Sequence, residues 1–130
     1  MANEPIEILT LAASEKGTYA ITGIQFLDED DEIVTPIATT VKWCLTTKAG
    51  VVINNKQNIT IISAASMNIV LSGDDLAVSG APDKTFIANG VETKQYQRHV
   101  AIQGAINSTL GEALPVTKEF IFFIENIVCL

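Results

Sequence analysis

The chain has 130 residues, enough for one domain with its own core and too few for two ordinary ones. Hydrophobic residues make up 48% and charged residues 18%, which excludes a wholly disordered chain. A formal net charge of −7 argues against wrapping nucleic acid, whose phosphates would repel it; it fits a solvated surface or a partner with a basic patch.

In chain order, Pro5 to Leu11 reads as a first strand with Ile6 and Ile8 on one face. Thr18 to Leu27 reads as a second. Ala20, Thr22, Ile24 and Phe26 share one side of it, and Tyr19, Ile21, Gly23, Gln25 and Leu27 the other. Neither side is strongly polar, so both are expected to be covered, one of them by another chain. The run Asp28-Glu-Asp-Asp-Glu32 is a turn, because adjacent carboxylates repel and seek water. Val41, Trp43 and Leu45 then point inward, and Lys42, Cys44 and Thr46 outward. Ala49-Gly50 turns the chain into a strand at Val51-Val-Ile53, which Asn54-Asn55 ends.

Asn58 to Ile62 and Met67 to Ser72 read as strands, with Met67, Ile69 and Leu71 inward. Ser72 caps a single helical turn through Ala77. Gly80-Ala-Pro82 is a loop. Asn89-Gly90 between two β-prone runs, Lys84 to Ala88 and Val91 to Gln95, signals a tight hairpin. Tyr96 falls in the loop after it. Arg98 to Asn107 alternates again, with Val100, Ile102, Gly104 and Ile106 on one face. Ser108 to Pro115 is a turn-rich loop, and Glu119 to Val128 the last strand. That strand is apolar on both sides: Phe120, Phe122 and Ile124 on one, Ile121, Phe123 and Ile127 on the other. Such a strand is expected between a second sheet and a neighbouring chain or loop.

Short alternating runs cut by acidic, Gly and Pro turns, with one Trp inside a run, are the pattern of an all-β fold. They fit an immunoglobulin-like antiparallel β-sandwich over residues 1–130. Cys44 directly follows Trp43 and so faces away from it. Cytoplasmic folding keeps thiols reduced, so Cys44 and Cys129 are expected to be free, with a bridge between them the alternative.

Chemistry is sparse. Asp28, Asp30 and Glu32 alternate, yet the central Gly and bidentate Glu of a calcium loop are missing in register, and no metal is expected there. His99 is the single histidine, and no G-x-S-x-G surrounds any serine. Asp74-Asp75 fits the start of the helical turn better than an acid–base pair. No cofactor motif and no catalytic constellation stand out. An enzyme would have to build a dyad from His99 and a distant carboxylate. No apolar run approaches the ~20 residues of a membrane span. The N-terminus lacks a basic segment and an apolar core, so synthesis in a cytoplasm is expected.

Phe26-Leu-Asp-Glu-Asp30, Thr35-Pro36, Trp43-Cys-Leu-Thr46, Gly50-Val-Val-Ile-Asn54 and Val70-Leu-Ser-Gly-Asp-Asp-Leu-Ala77 together resemble small Ig-like β-sandwich proteins from the structural-gene clusters of tailed bacteriophages. The segment from about Asp83 to Gln95 departs from that pattern and looks like an inserted hairpin. The resemblance implies a non-enzymatic virion component: a head decoration, a neck or collar subunit, or a tail-associated one. Its partners would be other virion proteins, itself included. The candidate contacts are Tyr19, Ile121 and Phe123, the hairpin tip Asn89-Gly90, and Tyr96. A carbohydrate- or host-surface-binding module is the alternative, with Tyr96 as its loop aromatic.

Overall fold

The computed structural model describes residues 6–129, which are built mainly of β-strands and loops with a single 3-10 turn at Gly73–Leu76. The strands are β1 (Ile6–Ile8), β2 (Ala13–Ser14), β3 (Thr18–Ile24), β4 (Phe26–Leu27), β5 (Ile33–Val34), β6 (Lys42–Thr47), β7 (Ile59–Thr60), β8 (Met67–Ser72), β9 (Lys84–Ala88), β10 (Val91–Ser108) and β11 (Gly111–Cys129). Seven of them form one sheet in the order β1-β11-β10-β6-β7, with β2 also on β11 and β9 also on β10. Strands β3 and β8 pair separately, as do β4 and β5. The large sheet is not purely antiparallel, because β1 and β2 both run parallel to β11.

Alternation explains why the sheets face one another. Trp43 and Leu45 from β6, Val100 and Ile102 from β10, and Phe120, Phe122 and Ile124 from β11 share a parity and are buried. Met67, Ile69 and Leu71 from β8 meet them in one continuous core. The inward sets expected for Trp43 and for Met67 hold. At Gly104, β10 runs close against Val41, Phe26 and Pro36. A Cβ there would stand 3.3 Å from Val41 and 3.6 Å from Phe26.

The run Thr18 to Leu27 is not one strand. Gly23 takes φ +67°, and the pairing of β3 with β8 shifts register between Ile21 and Ile24. This bulge inserts a residue and reverses the parity. Tyr19 and Ile21 are therefore buried before it, and Ile24 and Phe26 after it. One chain's core accounts for the apolar residues of both sides, with no covering neighbour required.

Three segments of the sequence reading are also revised. Val51-Val-Ile53 makes an isolated bridge, Thr46 to Val52, and not a strand. Tyr96 and Gln97, between two expected strands, and Ser108 to Pro115 are largely strand, so β10 and β11 form one hairpin of 18 and 19 residues. Pro115 is tolerated inside β11 because even-numbered residues there bond to β10. An odd position turns its missing N–H to the other side, beyond the reach of β1. The acidic turn closes on itself: Asp28 Oδ1 accepts from the backbone N–H of Asp30 (2.9 Å) and of Glu32 (3.0 Å).

Candidate interaction surface

Asn89 and Gly90 both have positive φ, 54° and 74°, and join β9 to β10 in a two-residue turn. The hairpin expected there is present, and it is continuous with the large sheet. Its second strand is the start of β10, and β11 pairs along its far side. Row by row across the three strands, Lys84, Gln95 and Glu125 align, then Phe86, Thr93 and Ile127, then Ile87, Glu92 and Val128, then Ala88, Val91 and Cys129. Phe86 and Ile127 share one face of this end, and Ile87 and Val128 the other. All four are exposed, Ile87 and Ile127 by more than 60%. Large apolar side chains thus stand in water on both faces.

The outer edge of this end is open. Among the described residues β9 pairs with β10 alone. In a two-residue hairpin the flanking residues exchange hydrogen bonds, so Ala88, Phe86 and Lys84 bond inward. Thr85 and Ile87 then turn their N–H and C=O groups to the free edge. The parity agrees with Gln97 on the same side of β10, whose N–H donates to Asp83 Oδ2 (2.7 Å).

The other sequence-based contacts fall elsewhere. Ile121 and Phe123 lie on the outer face of β11, half-buried, in the column that continues to Ile127. Tyr19 is a correction. It is 6% exposed, stacked on Phe122, and its hydroxyl donates to Leu11 O (2.5 Å), so it is a core residue of its own chain. Tyr96 is the second: it sits in mid-strand on the inward side of β10 and is buried.

His99 does meet a carboxylate. Its Nδ1 bonds to Glu119 Oε1, and its Nε2 lies 2.8 Å from Gln97 Nε2. Because the Gln97 amide nitrogen donates, Nε2 accepts and Nδ1 carries the proton given to Glu119. Both ring nitrogens are thereby engaged with neighbours on the sheet surface, and the described hydrogen bonds bring no hydroxyl or thiol to the imidazole. Cys44 and Cys129 are free. They stand opposite Ala101 and Val91, ten residues apart on β10, or roughly 33 Å along the strand. A bridge within one chain is excluded by that spacing. Among the described residues no group of three or more His, Cys, Asp or Glu could hold a metal ion. What sequence reading missed is Phe86, Ile87 and Val128; the local signal was an apolar β-prone run, Lys84 to Ala88, with one charge and no proline.

Comparison with family models, with curated proteins and with solved structures finds no match to this chain.

Proposed function

We propose that the chain is a non-enzymatic structural subunit of a tailed-phage particle with an immunoglobulin-like sandwich fold. In this reading it assembles by strand addition at the free edge of β9, a second copy being the first partner. The observation that carries it is the three-stranded end itself: an unpaired five-residue edge between two faces that expose Phe86, Ile127, Ile87 and Val128. An edge of this kind templates pairing with another chain, and soluble proteins ordinarily blunt it with charge, proline or a covering loop. β9 has a single lysine at its start.

The immunoglobulin-like part of the reading is supported by the strand order. The first strands pair parallel with the last one, β11 lies beside β10 and β10 beside β6, and Trp43 of β6 packs in the core. The phage assignment rests on the sequence resemblance. The glycan-binding alternative loses its aromatic, since Tyr96 is buried in β10.

Amide hydrogen exchange across a protein concentration series tests the proposal. Thr85 and Ile87 should become protected as concentration rises, while the amides of β7 do not. Concentration-independent exchange at both positions would contradict assembly through this edge.

A further inference from the structure

We infer that the inward side of β10 carries an oxyanion-binding cleft centred on Arg98, suited to a monoanionic carboxylate with a small apolar body. This inference is independent of the edge of β9.

Arg98 shares the core parity of Tyr96, Val100 and Ile102, so the strand drives a guanidinium inward. It is 6% exposed. Its Nη1 donates to the carbonyl of Gln97 at 2.9 Å, and its Nε has no partner among the described residues. No carboxylate lies within ion-pair distance of it among the described residues. The ring of Tyr96 stands 5.9 Å from the guanidinium carbon, a weak cation–π contact that uses no N–H. Burial lowers the pKa of Arg98 and the nearby Asp83 charge offsets part of that, yet a guanidinium stays charged in a protein. A buried cation with one orphaned N–H, at Nε, is costly, and a fork of N–H groups matches the two oxygens of one carboxylate.

There is room for a ligand. Arg98 and Tyr96 line a cleft of about 550 Å³, walled by the segments following β6 and preceding β9. Ala49, Ile53, Ala77 and Ala81 supply apolar wall, Lys48 a second positive charge and Asp83 a negative one. A volume of this order holds a small organic molecule, with a few polar groups to orient it. Asp83 opposes a second negative charge, which favours a monoanionic carboxylate over a phosphate dianion. The apolar wall favours a ligand with a body behind the head group.

Benzoate and its neutral isostere benzamide are the probes, followed by NMR of the Arg98 Nε–H and by melting temperature. Benzoate should shift that resonance saturably and raise the melting temperature, and benzamide should do neither. Arg98→Lys, which keeps the charge and loses the fork, should weaken benzoate by about tenfold. Should Arg98→Lys fail to fold, Asp83→Asn serves: it removes the opposing charge and should tighten benzoate. Equal responses to both probes, no shift at Arg98 up to the solubility of benzoate, or unchanged affinity in Asp83→Asn would each overturn the assignment.

Discussion

Tyr19 of β3 and Phe122 of β11 stack ring on ring, with centroids 4.7 Å apart and planes at 16°, and so join the two sheets through one aromatic pair. The Tyr19 hydroxyl extends the link by donating to Leu11 O at 2.5 Å, in the segment between β1 and β2. Three separate parts of the chain converge on one side chain.

Removing the Phe122 ring should cost about 3–5 kcal/mol, since a fully buried aromatic leaves both a transfer loss and a cavity. Tyr19→Phe keeps the stack and loses one hydrogen bond, so about 1 kcal/mol is expected. Chemical denaturation measures both, and equal losses would contradict the division of labour.

The same phenol sets an alkaline limit. Burial raises the Tyr19 pKa above its ordinary 10.0, so the fold prefers the neutral form. Its contribution is complete below the unfolded value and is lost as pH rises through the folded one. Tyr19→Phe should show a smaller decline in stability above about pH 10 than the parent chain.

Gly23→Ala should destabilise by about 1–2 kcal/mol, because φ +67° is costly for an L residue. Nothing stands within 4 Å of a Cβ there, so the loss is conformational and not steric. Gly23→Asn should cost less than Gly23→Ala, since asparagine tolerates this region better. The reverse order in thermal unfolding would contradict the bulge as the source.

Thr109 at the tip of the β10–β11 hairpin donates its hydroxyl to Glu29 in the acidic turn. That bond is the main cause holding the Glu29 carboxyl below its ordinary 4.5. A depressed folded pKa gives a contribution present above the unfolded value and lost as pH falls through the folded one. In Thr109→Ala the Glu29 titration followed by NMR should move up toward 4.5; an unchanged midpoint would refute the contact.

Much of the core was legible because large apolar residues recur there at every second position. Val41, Trp43 and Leu45, and again Met67, Ile69 and Leu71, emerged buried as read, with Val70 the one large apolar residue turned outward between them. The bulge at Gly23 was not, because a parity reversal inside an apolar run looks like two buried faces. Its trace was the switch from Tyr19 and Ile21 to Ile24 and Phe26. The middle of β10 was misread for the opposite reason. Tyr96-Gln97, set among polar Lys94, Gln95 and Arg98, looks like a break between two strands, yet Gln95, Gln97 and His99 line the outer face while Tyr96 and Arg98 point inward. The inward arginine hid the alternation and is also what makes the cleft. Phe86 and Ile87 escaped notice because edge position is a property of topology, which local pattern does not carry.

The measurement that tests the central claim most directly is solution mass by light scattering, over a concentration series, for the parent chain and Ile87→Pro. The N–H of Ile87 faces the free edge, so proline there leaves the β9–β10 ladder intact while blocking strand addition. The account predicts a parent chain whose mass rises with concentration to a defined oligomer, and a variant that stays monomeric and melts at the temperature of the dilute, monomeric parent. A parent chain monomeric throughout, or a variant that assembles equally well, would contradict it.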